Sequence, residues 1–315
     1  MIIIGTDAVW HIGREREGYK AVSEIVWNDR FNVGVECIDK AHQRLFSIVG
    51  KLLSLNQDTE KQQYACREGV KYFKSYTMKH FAEEEAYMKS IGYKDLDAHK
   101  CLHDNMRDIT IPALEAELEE QNYSTGAIQH FLGMCVGWLN GHIMIDDHAI
   151  AGDTYKKWEH QPSESEIDSL EKAAIQALDN LYRIKAKPVS VHYGGEDFAS
   201  GNALCFRLLY SSPAGEHQQI YLLYEEKLIL SMIGDLFGKQ IDRIDKTVSY
   251  AVKMLSSKYM DCIARHFPHT EGTKLEKTDL MTFEQFHKAY DRQSPPYSLL
   301  FGTGGKGYFA LCVQT

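Results

Sequence analysis

The sequence predicts a multidomain chain, an all-α four-helix bundle followed by an α+β domain. Three observations carry that expectation. Apolar residues recur at helical spacing from residue 38 to about 158. From Val189 onward the texture changes to short runs rich in aromatic and β-branched residues. The length of 315 residues itself favours two domains.

In the first part, Ile38, Leu45, Val49 and Leu52 fall three and four apart, as do Ile128, Phe131, Leu132, Cys135 and Leu139. Breaks at "LNQDTE", "IGYKDLD" and "EEQNYSTG" divide the pattern into four helices with short connections, the signature of an antiparallel bundle. Pro112 should kink the third helix. "QPSESE" ends the pattern, and Ser163 with Glu166 has capping-box spacing for a new helix. In it Ile167, Leu170, Ala174, Ala177, Leu181 and Ile184 form an a/d seam under three heptads long. That seam fits a helix packed on its own domain, or a coiled-coil connector between subunits. Pro188 ends it.

Farther on, "VSVHYG", "ALCFRLLYSS", "QQIYLLYE", "YSLLFGTG" and "GYFALCVQT" read as strands. "KLILSMIGDLFG" and "KTVSYAVKMLSSKYMDCIARHF" read as helices between them. The expected divisions are an N-terminal extension over 1–22, the bundle over 23–160, a connecting helix over 161–186 and the α+β domain over 187–315. The "MIIIG" start has the look of a strand added to either domain.

Composition narrows the function classes. Hydrophobic content of 44% and charged content of 25% are ordinary for a soluble globular protein. A formal net charge of −9 argues against nucleic acid as the main partner. No uncharged apolar run is long enough to span a membrane, and the start lacks the basic residue of a secretory signal. Seven scattered cysteines without a C-x-x-C suggest reduced thiols in a cytoplasm.

The bundle histidines are the sharpest signal. His80 and Glu84 lie four apart, on one helix face, and so do His99 and His103. The first helix offers His42; the fourth offers His142 and Asp147. Every helix thus presents at least one potential ligand, and bundle cores are a usual place to build a metal site from facing helices. A lone histidine on a helix is more often a satisfied or exposed side chain, and His11, His130, His148 and His160 are read that way. Glu83 and Glu85 read as solvated neighbours of Glu84. Five residues advance an ideal helix by roughly 500°, so His142 and Asp147 point about 140° apart. A local π-type irregularity would align them; Asp146 is the simpler choice on geometry.

The order W…H, Y-x3-H-F-x2-E-E-x2-M, H-x3-H, W-x3-H-I-x3-D resembles a bacterial hemerythrin over residues 25 to 155. The pieces are "VWNDRFNVGVECIDKAHQRLF", "YTMKHFAEEEAYMKSIGY", "HKCLHDNM" and "WLNGHIMIDD". The family's H-x4-D spacing selects Asp147. By resemblance, two non-heme iron ions are held, one by His99, His103 and His142, the other by His42 and His80, with Glu84 and Asp147 bridging. Two octahedral ions offer about twelve positions. The ligands and a bridging oxo or hydroxo group fill all but one, on the two-histidine iron, where dioxygen would bind. Leu45, Trp138, Leu139 and Ile143 would form an apolar wall over it, favouring reversible binding over catalysis. By helical spacing alone they are ordinary core residues.

Residues 187–315 more weakly resemble the CheX/CheC chemotaxis phosphatases, in element order and the "AVKMLSSKY" helix. That family's helix carries Glu-x-x-Asn, and the matching register here holds Lys253 and Ser256. Lysine lacks the carboxylate's charge and serine is too short for the amide, so phosphatase activity should be absent or poor. The alternative is that both are surface helix residues in a domain similar in fold alone. The expected protein is therefore a cytoplasmic oxygen or redox sensor, not an enzyme, with a CheX-like output domain. A chemotaxis or response-regulator protein is its expected partner, and it should form a homodimer through the connecting helix or the CheX-like domain. An oxygen-gated phosphatase and an oxygen or iron store are the other readings.

Overall fold

The computed structural model describes residues 25–55, 60–151, 165–198, 202–212, 215, 217–238, 240–264, 274–290 and 297–314. The expected N-terminal strand at "MIIIG", the Ser163 cap, His11 and His160 lie outside these residues.

The bundle begins with a loop pinned by the aromatic side chains of Trp27, Phe31 and Phe46, whose ring centroids lie 4.9–5.5 Å apart. Asp39 accepts from the backbone N–H groups of Val33 and Gly34, fixing the entry into α1 (Glu36–Ser54). Helix α2 (Glu60–Ser90) runs back along it. The third helix is made of α3 (Leu96–Asn105), a π-helical turn at Met106–Thr110, and α4 (Ile111–Glu120). Pro112 lies just past that turn. A wide turn relieves the clash a proline ring makes with the preceding turn, so the helix continues through Pro112. Helix α5 (Thr125–His142), capped by Ser124, passes through a second π-helical turn at Ile143–Asp147 into the short α6 (His148–Ile150).

Helix α7 (Glu166–Tyr182) starts on a Ser165 cap, two residues later than "QPSESE" suggested. Then come β1 (Lys187–Ser190), β2 (Ala203–Ser211), β3 (His217–Glu225), α8 (Glu226–Phe237) and α9 (Lys246–Ile263). The chain closes with β4 (Lys274–Met281), α10 (Phe283–Ala289), β5 (Tyr297–Gly302) and β6 (Tyr308–Gln314). The strands form one antiparallel sheet in the order β1-β5-β6-β3-β2-β4. Two elements had not been expected. Strand β4, "KLEKTDLM", is an edge strand without a fully apolar face; α10 is a seven-residue helix with a Thr282–Gln285 capping box. Among the described residues no helix is long and apolar enough to cross a membrane.

The α7 seam is occupied within the chain. Leu170, Ala174, Ala177, Leu181 and Ile184 are buried, α7 packs on α9, and the Tyr259 hydroxyl donates to the Ala174 carbonyl. This is the helix packed on its own domain, not a coiled-coil connector.

The bundle and the sheet part share one apolar core, joined where α5 lies along α9. Gly133, Gly137 and Gly141 place three small residues on one face of α5. A Cβ on Gly133 would sit 2.6 Å from the Thr247 carbonyl oxygen, and one on Gly137 would sit 2.7 Å from that of Ala251. Glycine at these positions is what lets the two backbones approach.

Replacing a helical glycine by alanine ordinarily gains about 1 kcal/mol. At Gly137 the sign reverses, because the contact is with backbone and the overpacking cost is about 1–3 kcal/mol or more. Gly137→Ala should lower the thermal midpoint of the full chain by about 3 °C. Gly126→Ala, facing only the flexible Lys246 ammonium at 3.3 Å, should not lower it. Equal midpoints for both variants in calorimetry would mean the close packing is not as described.

Candidate metal centre

Seven side chains from α1, α2, α3, α5 and the turn after α5 meet at the middle of the bundle. His42, His80, Glu84, His99, His103, His142 and Asp147 are all buried, none more than 3% exposed. They fall into two overlapping groups of mutually close ligand atoms: Glu84 with His99, His103 and His142, and Glu84 with His42 and His80. Asp147 lies between the groups, with Oδ2 3.2 Å from His42 Nε2 and Oδ1 3.0 Å from His142 Nε2. Glu84 Oε2 lies 3.2 Å from His103 Nε2, 3.6 Å from His99 Nε2 and 3.9 Å from His80 Nε2. The Nε2 atoms also converge, His42 on His80 at 3.1 Å and His103 on His142 at 3.0 Å.

The sequence folds this way because each ligand occupies an inward helical position. His80 and Glu84, and His99 and His103, are one turn apart on α2 and α3. His142 and Asp147 align by another route. The π-helical turn at Ile143–Asp147 widens the helix so that a residue five along returns beneath the first. Asp146 then takes the other side of the same imidazole, with Oδ2 3.2 Å from His142 Nδ1. Both aspartates weighed from the sequence thus face His142, one at each ring nitrogen.

The electrostatics of His80, Glu84 and Asp147 fit ligands, whereas at His142 burial works against a proton but Asp147 and Asp146 outweigh it and push the imidazole up to about 10. Burial and the nearby His42 push the His80 imidazole down to about 3, leaving it neutral with a lone pair to give. Burial and Asp147 push the Glu84 carboxyl up, yet His103, His99 and His80 outweigh them and hold it low. For Asp147, too, burial works upward and the imidazoles of His142 and His42 win. Both carboxylates are therefore ionised. Yet neither oxygen of Glu84 nor of Asp147, nor His99 Nε2, has a hydrogen-bond partner of proper geometry. Leaving buried carboxylates so is costly, by several kcal/mol each, unless cations bind there. Imidazole and carboxylate donors that bridge two groups suit a pair of divalent iron-like ions.

Around them stands a second layer that the sequence only partly disclosed. Glu85 is not a solvated neighbour: its Oε1 lies 3.1 Å from His103 Nδ1. Glu83 does face solvent, against Lys79. Phe81 stacks on His103 at 3.9 Å and Trp138 on His142 at 4.3 Å, with ring planes within 15°. Phe81 was within reach of sequence reasoning, since a residue beside a ligand histidine and apolar amid charge must face inward. Leu45, Leu139 and Ile143 are buried and Trp138 is partly so. His130 pairs with Glu117 at 2.7 Å and His148 lies 3.2 Å from the Arg30 carbonyl oxygen, so both are engaged away from the cluster. On α9, Ser256 is buried and donates to the Tyr224 hydroxyl. It is therefore not the surface residue that one reading of the sequence required, while Lys253 is half-buried.

The family model described as hemerythrin HHE cation binding domain matches residues 33–152. A bacteriohemerythrin of Clostridium acetobutylicum is 33% identical over 126 residues, 39% of this chain and 95% of that protein. A bacteriohemerythrin of Pseudomonas aeruginosa is 29% identical over 126 residues, 40% of this chain and 78% of that protein. Among solved structures, the chemotaxis protein CheX of Vibrio vulnificus aligns with a TM-score of 0.35 at 8% identity, over 50% of this chain and 100% of its own. A CheC-like protein of Shewanella sp. PV-4 aligns with a TM-score of 0.37 at 13% identity, over 49% and 99%. Through its helical bundle the chain belongs to the hemerythrin family.

Proposed function

We propose that the bundle holds two iron ions and binds dioxygen reversibly, and that the attached α+β domain makes it a cytoplasmic sensor. The observation that carries this reading is the pair of buried, ionised, donorless carboxylates shared between two sets of imidazoles. His99, His103 and His142 would hold one iron, His42 and His80 the other, with Glu84 and Asp147 spanning both. When bound, the iron pair supplies an open coordination position and the electrons for reversible oxygen binding.

The chain's own residues do the rest. Glu85 and Asp146, at the Nδ1 atoms of His103 and His142, fix the tautomer that turns each Nε2 lone pair inward. Phe81 and Trp138 hold those two rings in plane by stacking. Leu45, one turn along α1 from His42, together with buried Leu139 and Ile143, would keep water and protons from the two-histidine group, while Trp138 shields the three-histidine group by stacking on His142. A pure oxygen store has no need of the tightly joined sheet domain, whose core is continuous with that of the bundle.

Purified protein, loaded with ferrous iron under argon, should contain two irons per chain, one for each ligand group, and change colour reversibly between argon and air. His80→Ala should cut iron content about tenfold or more. Persistence of the colour in that variant would refute the ligand assignment. Leu45→Gln should keep both irons but shorten the lifetime of the air-dependent colour by about tenfold. An unchanged lifetime would show that the apolar wall is not what preserves reversibility.

A further inference from the structure

The metal centre does not end at the edge of the bundle. Asp146, whose Oδ2 lies 3.2 Å from His142 Nδ1, is gripped on both oxygens by the Lys258 ammonium of α9, at 2.8 Å from Oδ1 and 2.5 Å from Oδ2. The two side chains are 17% and 16% exposed, so solvent screens them little. A helix of the C-terminal domain thus supplies the cation that anchors the carboxylate behind a candidate ligand.

Three further features make this contact a mechanical link. The turn carrying Asp146 is the π-helical turn that also carries Asp147, so the outer and inner aspartates are adjacent on one short segment. Helix α5, which bears His142, is packed against α9 with no room for a Cβ at Gly133 or Gly137, so a shift of one backbone must be met by the other. Helix α9 is in turn tied to the sheet by Ser256 on Tyr224 of β3, and to α7 by Tyr259 on the Ala174 carbonyl.

We propose that Lys258 is a positioning residue for the metal centre, and that the His142–Asp146–Lys258 chain carries the state of that centre to helix α9. The inference rests on the reading of the seven residues as metal ligands. Its physical content is simple. Metal loading or oxygenation changes the pull on His142 and Asp147. The π-helical turn moves as a piece, and Asp146 moves Lys258 with it. The link needs no connecting helix, because α5 and α9 touch directly, and α7 packs beside it against both the π-helical turn and α9.

The test compares full-length wild type, Lys258→Arg, Lys258→Met and Asp146→Asn, each iron-free, iron-loaded under argon, and then in air. Three quantities are read: iron per chain, the visible spectrum, and hydrogen exchange of the α9 amides. In wild type, α9 exchange should slow about threefold or more on loading. Lys258→Arg should keep that response and the wild-type spectrum. Lys258→Met should keep the iron but displace the absorption maximum and abolish the α9 response. Asp146→Asn cuts the same link from the bundle side and should behave likewise, even if Lys258→Met fails to fold. Wild type holding two irons with α9 exchange unchanged would overturn the proposal alone, as would a full response in either link-breaking variant. Wild type that binds no iron would overturn the ligand reading together with it, and the metal analysis separates the two cases.

Discussion

Two negative charges in the middle of a helix bundle are the constraint on which the rest depends. Glu84 and Asp147 are fully buried and ionised, and no hydrogen-bond donor of proper geometry meets their oxygens. A protein interior does not tolerate that arrangement without compensating cations. Five imidazoles face the same point, and the lowered affinity of His80 for a proton shows that the surroundings prefer it neutral. At His142 burial opposes a proton, yet Asp147 and Asp146 favour one; a single imidazolium does not balance two carboxylates, and metal cations satisfy both ligand types at once. The fold around the cluster reads as the means of holding these donors still: ligands one turn apart on α2 and α3, aromatic rings stacked on two of the imidazoles, and carboxylates behind them.

Legibility in the sequence followed physical regularity. The four helices and the inward positions of the histidines and Glu84 could be read because helical period and the i,i+4 rule act over short range and repeat, whereas that rule favoured Asp146 and only the hemerythrin resemblance pointed to Asp147. The strands with apolar faces, such as "QQIYLLYE" and "GYFALCVQT", were equally plain. Strand β4 was not, because an edge strand like "KLEKTDLM" pairs through its backbone and needs no apolar alternation. Helix α10 carried a usable capping box at Thr282 and Gln285, but a seven-residue helix leaves little periodicity to weigh. The Lys258–Asp146 contact spans 112 residues of chain, and no local pattern announces such a pair. The glycines on α5 offered a hint at four-residue spacing, yet a sequence does not say which partner the smooth face meets.

The position of the domains changes the meaning of the connecting helix. A seam of Leu170, Ala174, Ala177 and Leu181 reads equally as a connector between subunits or as a local core face. In the folded chain α9 covers it, and the Tyr259–Ala174 hydrogen bond crosses that junction. Communication between the bundle and the sheet then needs no lever. The two parts are one packed body where α5 meets α9, and close-packed interiors transmit displacement instead of absorbing it.

The π-helical turn at Ile143–Asp147 joins these themes. An ordinary α-helix would place Asp146, not Asp147, nearest His142, leaving Asp147 outside the cluster. One extra residue in the turn rotates Asp147 inward to lie 3.0 Å from His142 Nε2, and the same rotation turns Asp146 outward to Nδ1 and Lys258. The irregularity that brings Asp147 into the candidate metal centre is thus also what exposes a carboxylate to the neighbouring domain. Reversion of this turn to regular helix would withdraw Asp147 from the ligand cluster and Asp146 from Lys258 in a single step. Coupling between the metal centre and α9 therefore follows from the local geometry that the ligand set requires, and it needs no separate device.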